Sequence, residues 1–215
     1  AGSATISATA SYGLSAYNKQ GLSISNLIFD GGSMLSNTNS GLVLVADVPG
    51  DVKFSNISIS NVEVKNFGAQ GIMISGGNKL TGFQNVNLSN LSVHDVKANG
   101  IVVYGDITHP IGSWPHKDVS ISNCEVYGIP GFDDPSSHEG NGIMISQVDA
   151  GVIQNCTAHD NGESNTHCGG PGGIWCWDSN KITIQYCESY KNHSGTGCDG
   201  LGFDFDGGMT HSVMQ

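Results

Sequence analysis

Residues 71–75 read Gly-Ile-Met-Ile-Ser, and the same five residues return unchanged at 142–146. They are one instance of a glycine followed by alternating apolar residues, which also appears as GLSAY from Gly13, GLVLV from Gly41, GIVVY from Gly100, GIWCW from Gly173 and GFDFD from Gly202. The intervals between these glycines are 28, 30, 29, 42, 31 and 29 residues. A second signature follows each of the first five: ISN ending at Asn26 and at Asn61, LSN at Asn90, ISN at Asn123 and IQN at Asn155. Tyr186 and Gln215 hold that position in the last two copies. A further short apolar alternation comes next, as in LIF, VEV, LSV and CEV.

Each unit therefore holds three strands of about four residues, divided by turns, with no helical period. A repeat this small cannot bury a face alone, so the units coil and stack as a solenoid. The expected fold is all-β: a right-handed parallel β-helix of about seven turns with three short parallel sheets, forming one domain over residues 1–215. Equivalent positions then lie about 4.8 Å apart along the axis. The Asn column reads as an internal amide ladder at a turn, because Asn tolerates left-handed backbone. The opening AGSATISA reads as the last strand of a preceding turn, and Gln215 falls halfway round the seventh. Uncapped solenoid ends expose strand edges, so further β-helix turns or partner chains are expected at both ends of what reads as a fragment of a longer chain.

Composition narrows the partners. The formal net charge is −11, with eight Lys and no Arg among 215 residues. Such a chain repels nucleic-acid backbones and anionic membranes. No run approaches the ~20 apolar residues of a membrane span.

Insertions in a solenoid collect on one face, often the binding face. The interval from the Asn position to the next glycine is 15, 10, 10, 19, 18 and 16 residues. The last three belong to consecutive turns, so loops 127–141, 161–172 and 191–201 are expected to stack into one wall. They carry Asp133, Asp134, His138, Glu139, Glu163, His167, Cys168, His193, Cys198 and Asp199. The connection 106–117, with His109, Trp114, His116 and Lys117, is placed to reach over the same sheet from the opposite edge.

Strand alternation sets directions. With the residue after each glycine inward, Ile72/Ile74, Ile101/Val103, Ile143/Ile145, Ile174/Cys176 and Phe203/Phe205 are core. Met73/Ser75, Val102/Tyr104, Met144/Ser146, Trp175/Trp177 and Asp204/Asp206 then face outward. Tyr104, two tryptophans and two carboxylates on neighbouring turns suit a sugar polymer, whose apolar face stacks on rings while acids take its hydroxyls or protons. Coverage of the Trp pair by the long loops is the competing reading. Asp178, Asp199, Asp204 and Asp206 are candidate Ca²⁺ ligands, Asp204 and Asp206 alternatively a catalytic pair. Trp114 and Lys117 are further substrate-binding candidates.

The repeated units resemble the right-handed β-helix repeats of the pectate-lyase-like superfamily along essentially the whole chain, and the C-terminal third is similar to secreted bacterial β-helix proteins. That resemblance implies extracellular activity on a plant, algal or microbial polysaccharide, as a lyase or glycoside hydrolase. The alternative is a non-catalytic, glycan-binding or adhesive segment. The run GFDDPSSHEGNG at 131–142 followed by AHDNG at 158–162 is also similar to mannuronan C5-epimerases of this superfamily, with two serines between Asp134-Pro135 and His138-Glu139. By that likeness Asp134 (or Asp133), His138 and Asp160 become catalytic candidates. Glu139 joins them as an ionisable group in the same wall. A lyase or epimerase removes a proton next to a carboxylate and needs a base such as His138, Lys117 or Tyr104.

None of the eight His shows zinc-site spacing. Cys124, Cys156 and Cys187 share one repeat position and are expected as an inward stack of thiols. Cys168 and Cys198 sit in equivalent loops one turn apart, placed to form the disulfide of an exported protein.

Overall fold

In a computed structural model, residues 4–215 are described; Ala1–Ser3, part of the opening strand expected from AGSATISA, lie outside the described residues. The strands are β1 (Ala4–Ser7), β2 (Leu14–Tyr17), β3 (Leu22–Asp30), β4 (Leu42–Ala46), β5 (Lys53–Lys65), β6 (Ile72–Gly76), β7 (Gly82–His94), β8 (Asn99–Tyr104) and β9 (His116–Ser122). They continue as β10 (Glu125–Tyr127), β11 (Asn141–Ser146), β12 (Val148–Gln154), β13 (Thr157–His159), β14 (Gly172–Trp177), β15 (Asn180–Gln185), β16 (Glu188–Tyr190), β17 (Leu201–Phe205) and β18 (Val213–Met214). All strand pairs between them are parallel and in register with the repeat: Ile143 pairs with Ile174 and Ile101, Met144 with Trp175 and Val102.

The strands make two sheets rather than three. One has seven strands in the order β17-β14-β11-β8-β6-β4-β2, and the other has eleven, with a main path β1-β3-β5-β7-β9-β12-β15-β18. The seven-stranded stack has six steps along the axis, so the expected seven turns become about six complete ones. The expected second and third sheets are fused. In β3, β5 and β7 the chain bends at Asn26, Asn61 and Asn90, with φ of 57°, 53° and 54°, without breaking the ladder. Beyond Asn123 and Asn155 the same bend separates short strands β10 and β13; β10 remains hydrogen-bonded to β7 and to β13.

The Asn column differs from expectation. Asn26, Asn61, Asn90, Asn123 and Asn155 are all exposed, so the repeat requires Asn there for its left-handed backbone and not for an internal ladder. A ladder of amides, buried at Asn99 and Asn141, lies elsewhere, in the position before the register glycines Gly71, Gly100 and Gly142. Asn141 Nδ2 donates to Asn99 Oδ1 at 2.8 Å, and Asn99 Nδ2 donates to Gln70 Oε1 at 2.9 Å.

The glycine repeat has a steric cause. A Cβ built on Gly71 would lie 2.7 Å from the carbonyl oxygen of Gly100, one on Gly100 2.6 Å from that of Gly142, and one on Gly142 2.5 Å from that of Gly173. Each register glycine thus lets the next turn pass close, and a side chain at any of them pushes two turns apart. Inside, Ile72, Ile74, Ile101, Val103, Ile143, Ile145, Ile174 and Cys176 are fully buried, as the alternation requires, whereas Phe203 and Phe205 on the last strand of the sheet are half-buried. The thiols of Cys124 and Cys156 are buried in the core and Cys187 lies at its margin.

Candidate functional site

The outer face of the seven-stranded sheet is roofed by loops from both edges. On one edge the three long loops stack as expected. Gly162 donates its N–H to Ile129 O at 2.7 Å, Ser164 to Pro130 O at 2.8 Å, and His193 to Asn161 O at 2.7 Å. The buried Asn165 amide donates to the carbonyl of Glu139, and Cys168 and Cys198 form a disulfide across a Cα separation of 4.5 Å. On the other edge, loop 105–115 arches back so that Ile107 lines the same cavity as Trp177.

Between these walls lie two adjoining cavities. The larger, about 390 Å³, is lined by Tyr104, Met144, Ser146, Gln147 and Trp177 among others. The smaller, about 210 Å³, is lined by Gly170, Asp199, Leu201 and Asp204. Trp175, His138 and Asp206 line both, so the two form one cleft across β8, β11, β14 and β17. Its floor follows from the sequence alternation, since Met144, Trp175 and Asp204 are register partners on consecutive turns.

The two tryptophans part company here. Both point outward, but Trp175 is only 5% exposed. Its Nε1–H donates to Asn141 Oδ1 at 2.9 Å, and the His138 ring packs against it with centroids 5.4 Å apart. Trp175 is therefore a fixed floor, held by the buried amide ladder, while Trp177 is more open. Tyr104 reaches the sulfur of Met73 with its hydroxyl at 3.2 Å.

His138 is held at the junction of the cavities. Its Nε2–H donates to the Gly170 carbonyl, and its ring stacks on His167 at 4.7 Å. Partial burial of the ring disfavours the imidazolium and lowers its pKa, with the Gly170 carbonyl opposing and His167 adding to the shift. Asp204 is raised above the ordinary carboxylate value, first by burial, then by the negative charges of Asp206 and Asp199. The carboxylates of Asp199 and Asp206 are fixed by their own loops: Asp199 Oδ1 accepts the Gly200 N–H at 2.8 Å, and Asp206 Oδ1 accepts the Gly207 N–H at 2.7 Å.

Several candidates lie elsewhere. Asp178 is separated from the other three aspartates. It accepts from Gln147 Nε2 at 2.9 Å, pairs with His109 Nε2 at 2.9 Å, and lines a neighbouring cavity of about 430 Å³ with Ile107, Ile111, Trp114 and Met209. Trp114 belongs to that second cavity too. Among the described residues no group of three or more His, Cys, Asp and Glu side chains is placed to hold one metal ion. Lys117 is on β9, opposite Gln84 and Asp149 in the other sheet. Asp134 closes its own turn, accepting from Ser136 N–H at 2.9 Å and Ser136 Oγ–H at 2.7 Å, which lowers its pKa. Glu139 accepts from Ser137 Oγ–H at 2.5 Å. Asp160 pairs with His159 at 2.7 Å in an outer stripe of stacked His94, Tyr127, His159 and Tyr190 rings, so it does not meet His138 and Asp134. His116, expected in a loop that reaches the site, is wholly buried.

Residues the sequence reading passed over include Asn141, which anchors Trp175, and Gln147, which bridges Gly105 N–H and Asp178. A signal for the first was available: Ser40, Gln70, Asn99 and Asn141 precede four successive register glycines.

The architecture is that of a parallel β-solenoid carrying a loop-walled cleft on one sheet. The family model described as right handed beta helix region matches residues 53–209, and the chain belongs to that family. Neither the curated proteins nor the solved structures give a match.

Proposed function

We propose that the protein is a secreted, carbohydrate-active β-helix that works as a glycoside hydrolase in the cleft over β14 and β17. The observation that carries this reading is the placing of Asp204 near the end of β17 and Asp206 just past it, Asp204 opposite Trp175 and Asp206 lining the larger cavity with Trp177. Residues two apart along a strand have Cα atoms about 6.7 Å apart and project to one side, a spacing from which two carboxyl groups can take up the ~6.5–9.5 Å separation that inverting glycosidases leave for a water. Asp204, whose pKa burial and the neighbouring carboxylates raise, is the better proton donor of the two and gives its proton to the glycosidic oxygen as the bond from C1 to that oxygen breaks. Asp206, as carboxylate, takes a proton from the water that attacks C1 on the opposite face. Trp177 supplies an apolar platform for a sugar ring, and His138 borders the same space.

Two features favour hydrolysis over uronate elimination. The chain has no Arg, and none of the residues lining the cleft is a lysine, so no permanent side-chain cation there offsets an enolate or grips a uronate carboxylate. The disulfide between Cys168 and Cys198 fits an oxidising, extracellular setting.

The test is incubation with a polysaccharide panel, with added Ca²⁺ and with chelator, reading new reducing ends, absorbance near 232 nm from unsaturated uronates, and proton NMR of alginate for epimerisation. Reducing ends without absorbance, inversion at the anomeric carbon, and a loss of 10³-fold or more in Asp204→Asn are the expected results. Absorbance growth points to a lyase, and changed alginate NMR to an epimerase. Binding without any product refers the cleft to adhesion, and each of these three outcomes overturns the hydrolase.

A further inference from the structure

Four observations bear on what kind of glycan the cleft takes. Apart from the Tyr104 phenol and His138, whose protonation burial disfavours, its ionisable side chains are carboxylates: Asp199 and Asp204 in the smaller cavity, and Asp206 shared by both. The three do not converge on a single point as metal ligands do. Their negative charge is spread along a cavity that Trp175 floors. Finally, Ser146 is 0% exposed and lines the larger cavity, yet its Oγ has no hydrogen-bond partner in the protein.

A buried hydroxyl without a partner is rare, because it forfeits the water it left behind. At the wall of a cleft, it is explained by a ligand that supplies the partner. A spread of carboxylates with no lining Lys or Arg disfavours an anionic ligand and stabilises a cationic one. Aromatic faces beside the carboxylates add to the attraction for an ammonium group.

Building on the reading of this cleft as a glycan site, we propose that its substrate is a glycan carrying free amino groups, such as a de-N-acetylated hexosamine polymer. The ammonium of one unit lies against Asp199, whose Oδ1 is already engaged by the Gly200 N–H and whose Oδ2 is left to accept. The Ser146 hydroxyl meets a sugar hydroxyl on the neighbouring unit. Asp204 and Asp206 stay assigned to proton transfer. The disulfide matters to this arrangement, since Cys198 directly precedes Asp199 and ties it to the loop that also supplies Gly170.

Calorimetry on the Asp204→Asn protein, which holds ligand without turning it over, tests the inference with three oligosaccharides of equal length: fully deacetylated glucosamine oligomers, N-acetylglucosamine oligomers and cello-oligomers. The amino oligomer is expected to bind at least tenfold more tightly than the other two at pH 6, with the preference shrinking in 0.5 M NaCl. Adding Asp199→Asn is expected to remove most of the preference. Adding Glu188→Gln, which deletes an exposed carboxylate on β16, is expected to leave it intact. That control separates recognition in the cleft from general attraction to a chain of net charge −11. Ser146→Ala is expected to weaken binding of the amino oligomer several-fold while leaving the unfolding midpoint unchanged or higher, since it deletes an unpaired buried hydroxyl.

Equal binding of the three oligomers, or equal effects of Asp199→Asn and Glu188→Gln, overturns the proposal. If a neutral glycan is hydrolysed with no preference for amines, this inference fails and the hydrolase stands. If amino oligomers bind through Asp199 and no glycan is cleaved, the hydrolase fails and the ligand class stands.

Discussion

His116 makes the stability of this fold depend on pH in a way that can be worked out in advance. The ring is wholly buried and stacks on Phe83 with centroids 6.1 Å apart and planes 4° from parallel. Its Nδ1 accepts the Phe83 N–H at 3.1 Å, and its Nε2–H donates to the Tyr104 carbonyl at 2.9 Å. Only the neutral ring, protonated on Nε2, satisfies both bonds. A second proton on Nδ1 would face an N–H donor. Burial, aided by the nearby Lys53 charge and opposed by the Tyr104 carbonyl, pushes the pKa down to about 4. In the unfolded chain the value returns to about 6.5. The folded pKa is the lower one, so the unfolded state takes up the proton first on acidification. Stability is intact above pH ~6.5, falls as pH drops below it, and stops falling on this account below pH ~4. At 1.36 kcal/mol per pH unit of separation, the loss between pH 8 and pH 5 is about 2 kcal/mol, and its limit is about 3 kcal/mol.

The assay is urea unfolding followed by tryptophan fluorescence at pH 8 and pH 5, for the parent protein and His116→Gln. A glutamine amide offers one acceptor and one donor to the same two backbone groups without titrating. The other seven histidines are common to both proteins, so the difference between their pH dependences isolates His116. The parent is expected to lose about 2 kcal/mol more than the variant between the two pH values. Identical pH dependence refutes the reasoning.

Two further predictions concern the repeat and the cleft floor. Gly142→Ala places a methyl group 2.5 Å from the Gly173 carbonyl oxygen and 2.9 Å from the Ala158 Cβ, and is expected to cost about 1–3 kcal/mol in denaturant unfolding, whereas Gly21→Ala, with open space around the position, pays only for its left-handed backbone, about 1 kcal/mol. Trp175→Phe deletes the indole donor to Asn141, leaving a buried acceptor with one partner fewer, and is expected to lower stability by about 1 kcal/mol. Trp177→Ala is expected to leave stability nearly unchanged but weaken glycan binding by at least tenfold in calorimetry; the opposite pattern for the pair would reverse their assignment as floor and platform.

The sequence was legible wherever the information is local. The register glycines, the alternation after them and the left-handed Asn positions repeat at fixed intervals because each turn meets the same steric demands as its neighbours. From that repeat the parallel β-helix follows, along with the inward set Ile143/Ile145/Ile174/Cys176, the facing loops and the pairing of Cys168 with Cys198. Tertiary structure decided what one strand's pattern does not contain. Whether a bend splits a ladder or runs through it depends on hydrogen bonds to the adjacent turns, and so three expected sheets became two. Whether an outward residue meets solvent depends on which loop folds over it: His138 and the Asn141 amide cover Trp175, while Asp178, near Trp177 in sequence, turns to His109 and Gln147 and lines the neighbouring cavity. Lys117 and Asp160 were drawn toward the site by sequence alone, and the coiling of the chain carries both to the other sheet. A repeat fixes where each residue sits around the turn, whereas a cleft is made by side chains and loops from different turns, whose meeting is settled only by packing.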